Sequence, residues 1–475
     1  MRKLLAITVA LLFSVCLCAQ NQQAIVKTRG KLDDNGNVIP GRGLSGAFVK
    51  IKGGNTHESK AEGLLSFPVA EGKYSIEKVT YVDNTSHERY QLVDMDNEVV
   101  IAKGGVERIG LAGANLKQKD AQGNVNAQYV QDIPTHVVAC ELMMKALQES
   151  GTIKSMDEIG AVGHRVLHGG EEFTASCIIT EEVKAAIRKY IPLGPLHNPA
   201  NLMGIEACEA VMPTTPQVAV FDTAFHQTMP AKAFMYGVPY EYYKEMGVRR
   251  YGFHGTSHRY VSKRVCEFLN IDPVGKKIII CHLGNGSSLS AVVDGKCVDT
   301  SMGLTPLEGL LMGTRCGSCD PAVVQFIANN KNMTPDQVLN LMNKQSGLLG
   351  IAGEGTSDMR DIDRLADGGH ERAALARDML YYQIKKLIGS YIAAMNGVDV
   401  ICFTAGIGEN GPELREAVME EFGWLGVKID KDVNNCKGKE VIISTPDSKV
   451  TVCVIPTNEE IMIARDTKEL VEKAN

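Results

Sequence analysis

The rhythm of hydrophobic and polar positions changes along the chain. Met1 is followed by Arg2 and Lys3 and then by an apolar run from Leu4 to Cys18. That layout predicts a secretory signal peptide cleaved near Cys18 to Gln20, since a stable membrane span needs about 20 apolar residues. From Ile25 to about Tyr81 short alternating runs are separated by Asp34-Asn35-Gly36, Pro40-Gly41, Gly53-Gly54 and Glu71-Gly72, which predicts a small β-meander. After about residue 90 the pattern becomes one of long apolar strands alternating with helices. Gln217–Asp222, Lys277–His282, Val398–Phe403 and Lys449–Ile455 are near-continuous apolar runs ending in polar or glycine residues, as in strands covered on both faces with functional loops at their ends. Between Glu371 and Asn396, Leu375, Met379, Ile384, Leu387, Ile388, Tyr391, Ile392 and Met395 recur at helical spacing, and Gly397 stops the helix. Leu289 to Val293 followed by Asp294-Gly295 predicts a strand entering a hairpin turn. The pattern is that of an α/β protein.

Composition narrows the function classes. A length of 475 residues predicts about three domains, and 44% hydrophobic against 22% charged residues excludes a disordered chain. Lys plus Arg is 50 and Asp plus Glu is 56, a net charge of -6, which removes the electrostatic basis for non-specific nucleic-acid binding. Of 13 cysteines, two fall in the leading apolar run and the rest are scattered from Cys140 to Cys453. Dispersed cysteines of odd number read as reduced cytosolic thiols rather than a disulfide framework. The two ends of the chain therefore point to different compartments.

The candidate chemistry sits in the loops at strand ends. His282-Leu-Gly-Asn-Gly-Ser-Ser288 and Thr404-Ala-Gly-Ile-Gly-Glu-Asn-Gly411 each follow a buried strand. Glycines there let backbone N–H groups approach an anion, and two such loops in one chain favour a nucleotide over a pair of tight turns. Gly163-His-Arg-Val-Leu-His-Gly-Gly-Glu171 sets Arg165 among glycines, and Met312-Gly-Thr-Arg-Cys-Gly317 does the same for Arg315. A guanidinium fork binds carboxylate or phosphate at two points, whereas a surface arginine merely pairs with a neighbouring acid. His164 and His168 stand four apart, a spacing that also suits a zinc pair but is more often structural outside a strong helical context. Arg249-Arg-Tyr-Gly-Phe-His-Gly-Thr-Ser-His258 places His254 between Phe253 and Gly255, partly desolvated and free to donate to a phosphoryl oxygen. Cys316-Gly-Ser-Cys319 is a CxxC without a second pair or thioredoxin-like order around it.

From about Tyr90 to the C-terminus the chain resembles acetate kinases, members of the acetate and sugar kinase, heat-shock protein and actin superfamily. The motifs are GHRVLHGGE at Gly163, PLHNPAN at Pro195, VAVFDTAFHQTMP at Val218, RRYGFHGTSHRYV at Arg249, HLGNGSSLSAV at His282, DTSMGLTPLEGLLMGTR at Asp299, SDMRDI at Ser357, FTAGIGENGPELR at Phe403 and PTNEEIMIARDT at Pro456. The resemblance implies an α/β fold of two ribonuclease-H-like lobes with a cleft between them, preceded here by a short β-rich segment. Residues 21–83 resemble the opening of exported carboxypeptidase-regulatory-like β-sandwich domains. The implied domains are residues 1–20 (signal-like), 21–83 (partial sandwich), 84–222 with 461–475 (first kinase lobe) and 223–460 (nucleotide lobe).

The activity so implied is reversible phosphoryl transfer between ATP and acetate, giving ADP and acetyl phosphate, with Mg²⁺ or Mn²⁺. By motif match Arg165 and Arg315 hold the acetate carboxylate and the phosphoryl oxygens, His254 bonds the group in the transition state, and Asp222 is the acidic residue of the site. Glu459 matches a magnesium-site residue. For the nucleotide the resemblance points to His282, Leu283, Gly284, Asn285 and Gly286 at the phosphates, and to Asp358, Met359 and Arg360 around the adenosine. Gly406, Ile407, Gly408, Glu409 and Asn410 fall near the remaining phosphate and ribose. Leu167, Leu196, Phe253 and Pro306 line the methyl pocket. One methylene is discriminated by only about 1–3 kcal/mol in such a pocket, so propionate kinase is the near alternative. The family also implies a cytoplasmic homodimer.

The chain departs from this family at its start. Acetate kinases open with a strand and an Asn-x-Gly-Ser-Ser-Ser-x-Lys loop just before the segment kept here as Tyr90-Gln-Leu92. This chain has Val82-Asp-Asn-Thr-Ser-His-Glu-Arg89 in that place. Asn84 replaces the glycine, His87 the last hydroxyl and Arg89 the lysine, and Val82 aligns with the asparagine expected to join Glu459 at magnesium. Ser318 replaces a usual acid. The expectation is a kinase weakened in metal and phosphate binding; the competing one is an exported binding or structural protein whose kinase portion is inert.

Overall fold

The computed structural model describes residues 5–10, 26–27, 47–51, 56–58, 64–65, 76–81, 87–195 and 197–474, with side chains from Glu88 onward. The chain forms two compact units, residues 1–160 with 202–215 and residues 161–201 with 216–475.

The first unit is organised on strand His87–Asp94. It pairs antiparallel with Val99–Glu107, which pairs with Asn115–Asp120, which pairs in turn with Val125–Val130. Leu92 and Val93 point to opposite faces and are both sealed from solvent, so this strand is covered on both sides. Helix His136–Glu149, capped by the Thr135 hydroxyl accepting from the Val138 N–H, buries Ala139, Cys140, Met143 and Leu147. The other edge of His87–Asp94 is taken antiparallel by Leu5–Ala10, with Leu5 opposite Asp94 and Ala10 opposite Arg89. Six residues of the run with a signal-peptide layout thus serve as a strand. Part of the expected meander is present too, as Ala47–Ile51 pairs with both Thr56–Glu58 and Ile76–Tyr81; its turn signals at 34–36, 40–41, 53–54 and 71–72 lie outside the described residues.

The second unit holds the chemistry. Ile159–Val166 and Gln217–Phe221 pair in parallel, with Arg165 opposite Val220. A second sheet runs in the order Lys296–Thr300, Ser287–Val293, Lys277–Leu283, Val400–Thr404, Thr451–Val454, Val441–Ile442. Its three central strands are parallel and buried along nearly their whole length, as their apolar runs required. The strand expected from Val398 starts at Val400, because the Asp399 N–H bonds the Lys277 carbonyl in the preceding turn. Asp294 and Gly295 both take positive φ, 53° and 72°, the type I′ geometry of a two-residue hairpin. Helix Glu371–Met395 buries Ala376, Leu380, Ile384, Ile388 and Tyr391 against the sheet. Left-handed Asn396 (φ 56°) caps it, one residue before the expected Gly397 stop. Among the described residues no helix is long and apolar enough to cross a membrane.

Candidate active site

Parallel pairing brings the ends of two strands together, and with them the first charged pair. Asp222 follows Gln217–Phe221, its N–H bonding the Val166 carbonyl at 2.9 Å. Arg165 therefore lies beside it: Nε donates to Oδ1 at 3.0 Å and Nη2 to Oδ2 at 2.6 Å, the two-point fork of an arginine–carboxylate pair. The Asp222 side chain is fully sealed and that of Arg165 keeps 15% of its surface. Glu459, at the start of helix Glu459–Ala474, stands 3.8 Å from Arg165 Nε. Burial alone would lower the Arg165 pKa, but Asp222 and Glu459 outweigh it and hold the guanidinium firmly protonated.

His254 is brought to the same place by a backbone contact. The Gly255 N–H bonds the Asp222 carbonyl at 3.0 Å, and a side chain on Gly255 would sit 2.1 Å from that oxygen, so only glycine starts helix Gly255–Leu269 there. His254, just before it, is left-handed at φ 59°, a conformation that costs about 1 kcal/mol or more and is kept only where its surroundings enforce it. They do: Nδ1 is 2.9 Å from Ser288 Oγ, and the ring stacks on His282 at 4.1 Å between centroids. Burial, and then the neighbouring His282, His258, Arg165 and Arg315, push its pKa well below the usual histidine range. It is a neutral imidazole at physiological pH.

Arg315 closes the recess. Its Nη1 donates to the Pro306 carbonyl at 3.4 Å and lies 3.9 Å from Met312 Sδ; among the described residues no carboxylate pairs with it. Burial and the like charge of Arg165 lower its pKa to about 10. The side chains meet over Gly286, where an added Cβ would lie 3.4 Å from both Arg315 Nη1 and His254 Nε2. A point within contact of both groups is open because residue 286 has no side chain, and a small anion fits the donors that surround it. Arg165 lies close enough to shift the pKa of both.

The apolar wall forms from Leu167, Phe253, Met302 and Met312, which pack as one buried cluster. Leu167 and Phe253 were anticipated, Met302 and Met312 were not, and Leu196 lies outside the described residues. Pro306 contributes its carbonyl to Arg315. His197 was also missed. Burial, and then the charges of Arg315 and Arg165, depress its pKa to about 3; its position in PLHNPAN, next to Leu196, was the available signal.

Two of the nucleotide candidate loops follow neighbouring central strands, Lys277–Leu283 and Val400–Thr404. Gly284 bonds back to the Gly286 carbonyl at 3.2 Å, making a tight turn after Lys277–Leu283. The Gly313 N–H bonds the Asn285 carbonyl, and a Cβ on Gly313 would strike Asn285 Oδ1 at 1.8 Å and meet Ser357 at 3.3 Å. Asn285, Gly313 and the segment leading to Asp358 are thereby brought together. Asp358 caps helix Met359–Asp367 and forks with Arg360, whose side chain is 91% exposed, while Met359 is buried in the core. Gly406 to Asn410 form the short helix Ala405–Asn410, with Gly284 3.8 Å (by its added Cβ) from Ala405. Ile407 packs at the edge of the core. The Gly408 carbonyl accepts from buried Arg415 and Glu409 accepts from the Thr457 N–H at 3.0 Å, so this loop is fixed from behind. His282 Nδ1 bonds Ser257 Oγ at 2.7 Å, and burial with Arg165 lowers its pKa to about 3.

Other candidates fall away from the site. His164 is sealed against Gln217 Oε1 at 2.6 Å and His168 packs among Tyr190, Tyr251 and Phe253, so the two rings have separate surroundings. All described cysteines are free, and burial raises the Cys316 pKa to about 11, a resting thiol. Among the described residues no three acidic, histidine or cysteine side chains cluster as a metal cage. Magnesium does not need one: it takes one or two carboxylates, waters and substrate phosphates. Glu459, partly exposed beside Arg165, fits that requirement, whereas Asp222 is sealed with both oxygens forked to the arginine.

The chain matches known proteins over most of its length. The sequence profile of the Acetokinase family matches residues 82–465. The chain is 54% identical over 387 residues to the acetate kinase of Desulfitobacterium hafniense, covering 81% of this chain and 96% of that protein. It is 54% identical over 388 residues to the acetate kinase of Bacteroides thetaiotaomicron, with 81% and 97% covered. The crystal structure of Porphyromonas gingivalis acetate kinase superposes with a TM-score of 0.78 at 48% identity, covering 82% of this chain and 97% of that one. A propionate kinase from Francisella tularensis superposes with a TM-score of 0.75 at 39% identity, with 81% and 97% covered.

Proposed function

The chain belongs to the acetokinase family, a family of phosphotransferases with a carboxyl group as acceptor, and we propose that its recess carries the γ-phosphoryl group of ATP to acetate, giving acetyl phosphate and ADP. The observation that carries this reading is the convergence of His254 Nε2 and Arg315 Nη1 on one point above Gly286.

The acceptor carboxylate is already ionised at neutral pH, so no base has to remove a proton from it. Catalysis reduces to alignment and to neutralising charge on the moving group. Arg165 orients the acetate while Asp222 holds its fork in place. Arg315 supplies the uncompensated positive charge to the equatorial phosphoryl oxygens, and neutral His254 donates a hydrogen bond to them without adding repulsion between the guanidiniums. The acetate oxygen forms a bond to phosphorus as the bond to the ADP oxygen breaks. Glu459 would hold Mg²⁺ or Mn²⁺, which when bound neutralises nucleotide phosphate charge. His282 to Gly286, Asp358 to Arg360 and Gly406 to Asn410 form the nucleotide side. Leu167, Phe253, Met302 and Met312 enclose the methyl group, with Leu196 and Pro306 completing the pocket by motif. The same chain is read as two lobes divided at 222/223 and 460/461, acting as a cytoplasmic homodimer. Propionate is the second substrate, favoured by the resemblance to the Francisella tularensis propionate kinase.

A hydroxamate assay of purified protein with ATP, magnesium and either acetate or propionate tests the reading. Acetyl hydroxamate formed in preference to propionyl supports it; no acyl phosphate from either acid, with nucleotide bound, rejects it in favour of an inert kinase portion.

A further inference from the structure

His254 acts in this reading only as a donor at Nε2, yet a neutral imidazole carries one proton and the choice of nitrogen is made elsewhere. The Ser288 hydroxyl is fully buried and lies 2.9 Å from His254 Nδ1 and 2.8 Å from His258 Nε2. It has one proton to give and must accept from the other ring. Only two orders satisfy all three groups. In the first, His258 Nε2–H donates to Ser288, Ser288 donates to His254 Nδ1, and His254 keeps its proton on Nε2. In the second, every bond is reversed: His254 carries its proton on Nδ1, and His258 carries its own there too. His258 Nδ1 decides between them, because it is buried with no partner among the described residues. Under the second order it is an N–H stranded in the interior, the rarer and costlier kind of orphan; under the first it is an unused lone pair.

The scaffold holds the relay rigidly. His258 lies one turn along helix Gly255–Leu269 from His254, and both rings keep their neutral form through burial. Ser288 is opposite His282 in the antiparallel pair of Lys277–Leu283 with Ser287–Val293. The same hairpin therefore stacks on the His254 ring and fixes its proton.

We propose that His258 and Ser288 are positioning residues whose hydrogen-bond order, His258 Nε2–H to Ser288 Oγ–H to His254 Nδ1, locks His254 as the Nε2–H tautomer that faces the phosphoryl group. The role assigned to the tautomer rests on the phosphoryl-transfer reading, but the tautomer itself is measurable without any substrate. Long-range ¹H–¹⁵N correlation spectra of the full-length protein labelled with [¹⁵N]histidine distinguish the two tautomers, His254 being assigned by the signal lost in His254→Gln. The expected result is an Nε2–H pattern for His254 in the wild type; an Nδ1–H pattern overturns the proposal.

Ser288→Ala frees the choice, so a mixed or reversed His254 pattern is expected. A fall in kcat of about 10- to 100-fold, part of the 10²–10³ attached to losing a whole donor, should accompany it with the KM for ATP little changed. His258→Gln keeps an N–H donor near the Nε2 position and should retain the Nε2–H pattern and most of kcat, whereas His258→Leu should lose both. That pair decides the matter should Ser288→Ala fail to fold, and equal behaviour of Gln and Leu overturns the proposal. Absence of acyl phosphate formation by the wild type, with the Nε2–H pattern present, counts against the phosphoryl-transfer reading and not against the relay.

Discussion

Arg315 is a cation the fold would be more stable without, and replacing it with methionine should separate function from stability. Its pKa is lowered to about 10 because it is buried beside Arg165 with only a carbonyl and a thioether for partners among the described residues. A depressed base costs stability wherever both states are protonated, so at neutral pH the full penalty is present. Each pH unit corresponds to about 1.4 kcal/mol, giving about 3 kcal/mol, and water reaching the recess reduces this to about 1–3 kcal/mol. Met fills much of the space of the arginine stem without its charge. Urea denaturation of Arg315→Met at pH 7.5 should therefore show a midpoint at or above that of the wild type, while kcat for acetyl phosphate formation falls by about 10³-fold or more. Stabilisation by added inorganic phosphate should vanish in the variant, since a ligand stabilises only the state that binds it. The reasoning fails if the variant is destabilised by more than about 2 kcal/mol, or if it keeps activity within about tenfold of the wild type.

Asp222→Asn removes the charge that fixes the Arg165 fork, and the KM for acetate should rise with a fall in kcat of about 10²-fold, measured by steady-state kinetics over a range of magnesium concentrations. Met312→Ala enlarges the apolar pocket. Its propionate-to-acetate ratio of kcat/KM should rise by about tenfold, a methylene's worth of discrimination, in the hydroxamate assay. His164, His226 and His282 have pKa values depressed to about 4, 4 and 3, each chiefly by burial. Their unfolded forms take up protons below about pH 6.5 while the folded ones do not, so stability is full above that pH and is lost as pH falls towards 4. Each contributes about 1 kcal/mol of loss by pH 5.5, readable as a falling urea midpoint. Exchanging residues 1–89 for a strand with the complete Asn-x-Gly-Ser-Ser-Ser-x-Lys loop should raise acetyl phosphate formation by at least about tenfold, the value of restored phosphate and metal ligands; an unchanged rate would show that the altered loop is not limiting.

Much of the scaffold was legible because its strands are buried on both faces and read as unbroken apolar runs. Gln217–Phe221 and Lys277–Leu283 fall within a residue of their expected ends, and the chemistry follows at the next position. Arginines set among glycines were legible for a related reason, since glycine at 255, 286 and 313 leaves room that another residue would fill. What escaped was anything made by non-local pairing. Ser288, His258 and His197 look like ordinary polar residues until strand pairing and the helix turn carry them to within reach of His254 and the arginines. Met302 and Met312 read as generic core residues, since nothing in a methionine's neighbours marks it as joining Leu167 and Phe253 in one cluster. The leading apolar run shows the converse limit. Hydrophobic patterning identifies Leu4 to Cys18 as a segment that avoids water, and the same run that reads as a signal peptide supplies the strand Leu5–Ala10.

The distribution of charge explains why the site divides its work between two unlike arginines. Arg165 is neutralised by Asp222, which takes its Nε–Nη2 fork, and approached by Glu459, so in the proposed reading it offers direction more than field. Arg315 has no such partner and offers field more than direction, the property a spreading phosphoryl charge requires. Two full guanidinium charges in one recess would repel, and the nearby acids relieve only the first. The remaining donor therefore has to be neutral. Burial depresses the pKa of His254, His258 and His282 together, and so removes three potential positive charges from the neighbourhood of Arg315. Surface exposure follows the same division. Asp222, Ser288 and His258 are sealed, while Arg165, His254, Arg315 and Glu459 keep some contact with solvent. In the proposed reading the partly exposed groups are those set against substrate, and the sealed ones hold them where water cannot compete for their hydrogen bonds.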